Sequence, residues 1–366
     1  MNKARVIAYY LPQYHPIPEN DENWGKGFTE WTNVANAKPL WKGHHQPRIP
    51  KDLGFYDLRL QETRIAQAEM ARDAGVEGFM YWHYWFGEGR MLLEKPAEWV
   101  LAEAKPDFPF CFGWANHDWS TATWTKGIKN KERKMIAEMK YLGTEDNRIH
   151  FEYCLPFFKD HRYITVDGKP LFVIYDPFGF KGLKEFMAEW QDLAKMNGLP
   201  GVYFATHWTF DKYTYEEMMS LGVDGLIRSG RQTAEERLSP SKFITKVKRY
   251  VSEKFNLCTQ VFQYSDIMNK MYFDENRIEN CYPLICPGYD CTSRRGNKAR
   301  IYKNPTPQAF QEHVHKTLEY IKDKEDEHKL IFLDSWNEWG EGNYMEPDTK
   351  WGHAYLDALH NEIVEQ

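Results

Sequence analysis

Leu330-Ile331-Phe332-Leu333-Asp334-Ser335-Trp336-Asn337-Glu338-Trp339-Gly340-Glu341-Gly342 joins a four-residue apolar run to a polar, aromatic segment carrying two carboxylates. A short apolar run of this kind, closed by turn-forming residues, reads as a strand buried on both faces. The same grammar recurs upstream. Val6–Tyr10 is followed by Leu11-Pro12, and Gly78–Trp85 ends in His83-Tyr84-Trp85. Phe110–Trp114 runs into Ala115-Asn116-His117-Asp118-Trp119, Leu171–Tyr175 into Asp176, and Val202–Thr206 into His207-Trp208. Gly225–Arg228 ends on its arginine, and Leu284–Cys286 precedes Tyr289-Asp290. Amphipathic stretches lie between, such as Leu183–Met196 and Pro307–Ile321, the latter opened by Thr306 as cap and Pro307 in the first turn. Asp57 is expected to cap a further helix running through Ala74. Alternating strands and helices imply a parallel sheet with covered faces. A doubly wound fold would show GxGxxG after its first strand, where Tyr10 instead leads into Leu11-Pro12-Gln13-Tyr14. Polar and aromatic residues at the C-terminal ends of many strands are the mark of a barrel, whose active site collects there. The reading is an α/β protein, a single (β/α)8 TIM barrel over residues 1–366, with long βα loops at 12–54 and 231–279.

Composition narrows the function. The chain has 366 residues, 42% hydrophobic and 27% charged, which excludes a disordered chain. A net charge of −6 removes the electrostatic case for nucleic acid or anionic lipid as partner. No run approaches the roughly 18 apolar residues of a membrane span. The start, Asn2-Lys3-Ala4-Arg5 then Val6–Leu11, is too short and tyrosine-rich for a secretory leader. With six cysteines and no CxxC pairing, reduced thiols and a cytoplasmic location are expected. Aromatic residues make up 16% of the chain, and many adjoin polar residues, so they have a use beyond a core.

Glu338 and Glu341 are the candidate catalytic residues. Aromatic walls desolvate a carboxyl group and raise its pKa, which keeps one acid of a pair protonated near neutral pH. Two carboxyls in an aromatic site are what glycoside hydrolysis requires, and sugar rings stack their C–H faces on Trp and Tyr. The expected partner is an oligo- or polysaccharide. Proton transfer does the work in such a site, so no cofactor and no metal are expected. The strand ends supply candidate sugar contacts: His83, Tyr84, Trp85, Trp114, Asn116, Tyr175, His207, Arg228, Tyr289, Asp290, Trp336 and Asn337. His83 reads equally well as a hydrogen-bonded structural histidine. Arg228, Arg294 and Arg295 read as recognition of an acidic glycan or as solvated loop arginines.

Several segments carry a resemblance. Tyr9–Asp21 with Trp24–Trp31, Gly43–Pro47, Leu53–Asp57, Trp114–Asn116, Asp167–Pro170, Tyr289–Arg295 and Trp336–Pro347 together resemble the WbsX family. Its members are often encoded with lipopolysaccharide and capsule genes and are related to glycoside hydrolase family 99. The resemblance spans nearly the whole chain. It implies a (β/α)8 barrel and retaining hydrolysis of α-mannosides. Family 99 carries Asn-Glu-Trp-His-Glu-Gly where this chain has Asn337–Gly342. By that match Glu338 deprotonates the substrate's own 2-hydroxyl, giving a 1,2-anhydro sugar, and Glu341 is the general acid and then base. Glu346 matches a further acid, expected to make a polar contact. Gly340 departs from the histidine of the relatives, and His117-Asp118 departs from the acidic and amide residues of many WbsX sequences.

Two other readings stay open. A glycosyltransferase of lipopolysaccharide or O-antigen synthesis would fit the family's name, but the chain has neither Asp-x-Asp nor a Gly-rich phosphate turn. A non-catalytic glycan-binding barrel would not need both glutamates.

Overall fold

The apolar runs form eight strands: β1 (Arg5–Tyr10), β2 (Val76–Trp85), β3 (Phe110–Trp114), β4 (Lys169–Ile174), β5 (Tyr203–Trp208), β6 (Gly225–Arg228), β7 (Cys281–Ile285) and β8 (Leu330–Leu333). In this computed structural model, residues 2–121, 134–239 and 260–364 are described, with 246–247, 250–251, 254 and 257–258 between them. The expected connection 231–279 therefore lies partly outside the described residues. Each strand pairs in parallel with the next, and β8 returns to β1. Ala8 pairs with both Phe79 and Leu333, so β1 is flanked on both sides and the sheet closes. Closure leaves no exposed edge, and the expected (β/α)8 barrel is the fold observed.

The helices cover the barrel through apolar stripes. Leu183–Met196 turns Leu183, Phe186, Met187, Trp190 and Ala194 inward, and Trp190 packs 4.8 Å from the Phe172 ring of β4. Pro307–Ile321 has the expected limits, and Thr306 Oγ1 accepts from the Ala309 amide at 3.2 Å. The helix expected from Asp57 begins instead at Gln61. Asp57 is spent on a tight turn, accepting from the Arg59 backbone and guanidinium. Lys324, in the charged segment that follows Pro307–Ile321, is buried and donates to the Cys281 carbonyl at 2.7 Å.

The long 12–54 connection contains two short helices, Pro18–Trp24 and Glu30–Ala35. The second is anchored by Trp31, whose ring lies 4.6 Å from Tyr14 and 5.5 Å from Trp339 and whose Nε1 donates to the Tyr56 carbonyl. That anchor sets the neighbouring Glu30 beneath the turn that follows β8. No helix among the described residues is long and apolar enough to cross a membrane.

Candidate active site

Side chains alternate between the two faces of a strand, so β2 sends Trp82 and Tyr84 into the barrel mouth and His83 and Trp85 outward. The inward set opens a cavity of about 400 Å³. Its aromatic wall comes from Tyr9, Trp82, Tyr84, Trp119 and Tyr175. Polar groups reach it from the ends of several strands: His207, Arg231, Asp334, Glu338, Glu341 and Arg294. Tyr9 Oη and His207 Nε2 hydrogen-bond at 3.2 Å, and burial lowers the His207 pKa to about 3, so the imidazole is neutral.

The turn after β8 is held from below. Asn337 clamps β1 by accepting from the Leu11 amide at 2.7 Å and donating to the Leu11 carbonyl at 3.1 Å. Tyr14 donates to the Asn337 carbonyl and accepts from the Trp339 amide. A short antiparallel pair, Asn337–Glu338 with Asn343–Tyr344, brackets the 3₁₀ turn Trp339–Glu341. Glu346 lies behind this turn and accepts from Trp339 Nε1 at 2.6 Å, Gln67 Nε2 at 2.6 Å and Tyr56 Oη at 2.9 Å. Burial raises its pKa to about 7 against those three donors.

One guanidinium organises the carboxyls. Arg294 Nη2 donates to Glu338 at 2.7 Å, Nη1 to Glu341 at 2.8 Å, and Nε to Glu30 at 3.0 Å. Burial alone would loosen the arginine's proton, but the three carboxyls more than offset that and its pKa is raised. Glu338 is pushed up to about 8, first by burial and then by Glu341, Glu30 and Asp334, with Arg294 opposing. Asp334 is raised by burial, with Arg231 at 3.1 Å opposing. The mouth and the layer beneath it therefore set four carboxyls against three guanidiniums, those of Arg231, Arg294 and Arg295, in a site lined with aromatic rings. Such a site can keep a proton on one carboxyl while another is ionised, which is the condition for paired acid and base chemistry.

The structure brings Glu338, Glu341, Tyr84, Tyr175 and His207 into one cavity. It does not bring the other expected contacts there. His83 hydrogen-bonds His150 Nε2 at 2.8 Å behind the barrel wall, and Trp85 stacks on the same imidazole with ring centroids 4.5 Å apart. Trp114 packs against Phe186 and donates to the Trp85 carbonyl, because β3 turns it outward as well. Asn116 fastens the next strand end, exchanging hydrogen bonds with the Asp176 backbone at 2.7 Å. Arg228 lies between the rings of Trp208 and Phe273 and pairs with Asp211. Tyr289 sits one layer back, its ring beneath the Arg231 guanidinium. Asp290 is buried and holds His44 at 2.9 Å, Gln46 at 2.8 Å and the Thr292 amide at 3.1 Å. Trp336 is fully buried against Phe79, while Asn337 and Glu346 brace the turn.

Groups at or beneath the mouth with no role assigned from sequence include Tyr9, Trp82, Trp119, Arg231, Asp334 and Glu30. Strict two-residue counting from Tyr84 would have found Trp82. Asp334, the first residue beyond β8, stands where a barrel presents side chains to its mouth. Among the described residues one group of three metal-ligand types comes together, His83, His150 and Cys154, within 4.8 Å of one another. It lies outside the cavity, and its two imidazoles already satisfy each other.

The fold has clear counterparts. The chain is similar over 98% of its length to 96% of a glycoside hydrolase family 99 endo-α-mannosidase from Bacteroides thetaiotaomicron, solved with bis-tris-propane, at TM-score 0.56 and 16% identity. It is similar over 99% of its length to 94% of a glycoside hydrolase-like protein, at TM-score 0.61 and 13% identity. These likenesses are of fold. The uncharacterized protein WxcX of Xanthomonas campestris pv. campestris (strain B100) is 32% identical over 362 residues, 99% of this chain. The chain spans 50% of the length of that relative. The model of the family described as glycosyltransferase WbsX matches residues 6–359, from the first barrel strand into the last helix, and the chain belongs to that family.

Proposed function

We propose that the chain is a retaining glycoside hydrolase acting on an α-mannoside- or rhamnoside-type linkage of a polysaccharide, with Glu338 and Glu341 as the reacting carboxyls. The observation that carries this reading is their shared setting: both line one aromatic-walled cavity at the C-terminal mouth of a barrel, on one guanidinium. The family 99 likeness of the fold supports it, as does the alignment of both glutamates with that family's motif.

Glu338 takes the proton of the sugar 2-hydroxyl as that oxygen attacks the anomeric carbon. Glu341 gives its proton to the departing glycosidic oxygen, whose bond to the anomeric carbon breaks. Water then enters, Glu341 takes its proton, and its oxygen opens the 1,2-anhydro ring while Glu338 returns the proton to O2. Two displacements at the anomeric carbon leave its configuration retained. The route favours a substrate whose 2-hydroxyl is axial and opposite the leaving group, which mannose and rhamnose provide. An acid placed to protonate a poor leaving group contributes roughly 10²–10⁴-fold.

The test is a panel of α-mannan, rhamnan and bacterial surface polysaccharides, scored by released oligosaccharide for the wild type, Glu338→Gln and Glu341→Gln. Release by the wild type, lost in both variants, supports the reading. The family description favours a second reading, glycosyl transfer. Nucleotide release from UDP- or GDP-sugars, with no glycan cleaved, would decide for it.

A further inference from the structure

Glu30 contributes nothing to the cavity wall. It is fully buried on the short helix Glu30–Ala35, and its carboxylate meets Arg294 from the side away from the cavity, at 3.0 Å to Nε and 3.2 Å to Nη2. Its position is tightly enforced. A β-carbon at residue 340 would overlap Glu30 Oε1 and come within 2.7 Å of Arg294 Nε. Gly340 is thus the residue that lets the turn after β8 close over the Glu30–Arg294 pair. Ser293 ties the same turn down by donating to the Gly340 carbonyl at 2.6 Å.

The charge count gives this arrangement a consequence. Among the described residues Arg294 is the single cation in contact with Glu30, Glu338 and Glu341, and the nearby Arg231 is engaged by Asp334. Besides Arg294, the groups facing Glu338 are Glu341, Glu30 and Asp334, with the phenols of Tyr14 and Tyr84. With all three glutamates ionised, one guanidinium would carry three buried or half-buried carboxylates. Like charges in a shared site cannot all ionise at ordinary pH, and one retains a proton.

We propose that Glu30 is a positioning residue that loads the catalytic mouth with its working proton: by occupying Arg294 from behind, it leaves Glu338 and Glu341 short of positive charge, so the pair keeps one proton at neutral pH. Glu30 touches no substrate and acts only through Arg294. That the retained proton is used in catalysis rests on the proposed hydrolase function. That Glu30 causes its retention does not. The pushing of Glu338 up to about 8 agrees with this account.

The experiment is a titration of ¹³C-carboxyl-labelled glutamates in the whole protein by NMR, with Glu338 and Glu341 assigned by their Gln variants. In the wild type, one carboxyl of the cluster should still be protonated at pH 7. In Glu30→Gln the Glu338 midpoint should fall by about one pH unit or more, since a like charge is removed and Arg294 is freed. Glu30→Asp, which keeps the charge but withdraws it by one methylene, should shift it less in the same direction. Once a cleaved glycan is in hand, the pH–rate profile of Glu30→Gln should move down by the same interval, which a merely structural role would not produce. Three ionised carboxyls at pH 7 in the wild type, or an unmoved midpoint in whichever variant folds, would overturn the proposal. None of these titrations needs a substrate, so a failure of the hydrolase reading would appear separately, as no glycan cleaved.

Discussion

Arg294 Nη2 donates to Glu338 Oε2 at 2.7 Å, yet Glu338 holds its proton up to about 8. Burial and the neighbouring carboxyls outweigh the one guanidinium. A carboxyl in this state is mostly protonated at pH 7 and becomes a strong base once ionised.

The pH dependence follows from that state. The reaction needs Glu338 ionised and Glu341 protonated, so kcat/KM should be bell-shaped in pH, its alkaline limb falling as the pair loses its retained proton near 8. A rate that stays level from neutral pH to well above that value would show that no retained proton is used as acid. Initial rates across pH 5–10, at roughly constant ionic strength, separate the two.

Gly340 should tolerate no side chain while Glu30 is present. Gly340→Ala is expected to destabilise the fold by about 1–3 kcal/mol through overpacking. Combining it with Glu30→Ala should recover part of the loss, because the overlapping carboxylate is gone. Denaturant melts of the two single variants and the double variant measure the coupling. Strict additivity would show that the two positions do not share space.

The alternation along β2 gives a contrast between adjacent residues. Trp82→Ala removes a ring from the cavity wall and should weaken glycan binding by about tenfold or more with the fold intact. His83→Ala removes a buried hydrogen bond to His150 and should cost about 2–3 kcal/mol of stability while leaving the cavity wall in place. Thermal melts and glycan titrations on both variants read the two effects, and a reversed pattern would mean the strand faces the other way.

Asp290 is a structural acid. Burial disfavours its charge, but His44, Arg48 and Thr292 hold its pKa well below the usual range. A depressed carboxylate adds stability that is present above its unfolded pKa, about 3.9, and is lost as pH falls toward the folded value. Asp290→Asn should therefore lower the melting temperature at pH 7, and the gap from wild type should narrow below about pH 4. A constant gap across pH would mean that the charge is not what stabilises the network.

All eight strands were legible because each apolar run is short and bounded by turn residues, and the helices Leu183–Met196 and Pro307–Ile321 because their stripes are regular. The site was legible only in part. Reading His83-Tyr84-Trp85 as one block overlooked the two-residue period, which sends the middle ring inward and its neighbours out. Arg228 and Asp290 stood at strand ends, where a barrel does present its chemistry, but ion pairing within the protein had already taken both. Glu30 and Arg294 lie 264 residues apart, and no local spacing rule joins them. Their meeting depends on Trp31 anchoring one short helix beneath the turn after β8, a packing fact that pattern cannot carry.

The most direct test of the account is the anomeric configuration of the first product released from a cleaved polysaccharide, followed by ¹H NMR before mutarotation. Two displacements through a 1,2-anhydro sugar predict that the α configuration of the cut linkage is retained, and that Glu341→Gln loses most activity on the glycan while still cleaving an activated aryl glycoside. A first-formed β product, or glycan cleavage undiminished in Glu338→Gln and Glu341→Gln, would contradict it.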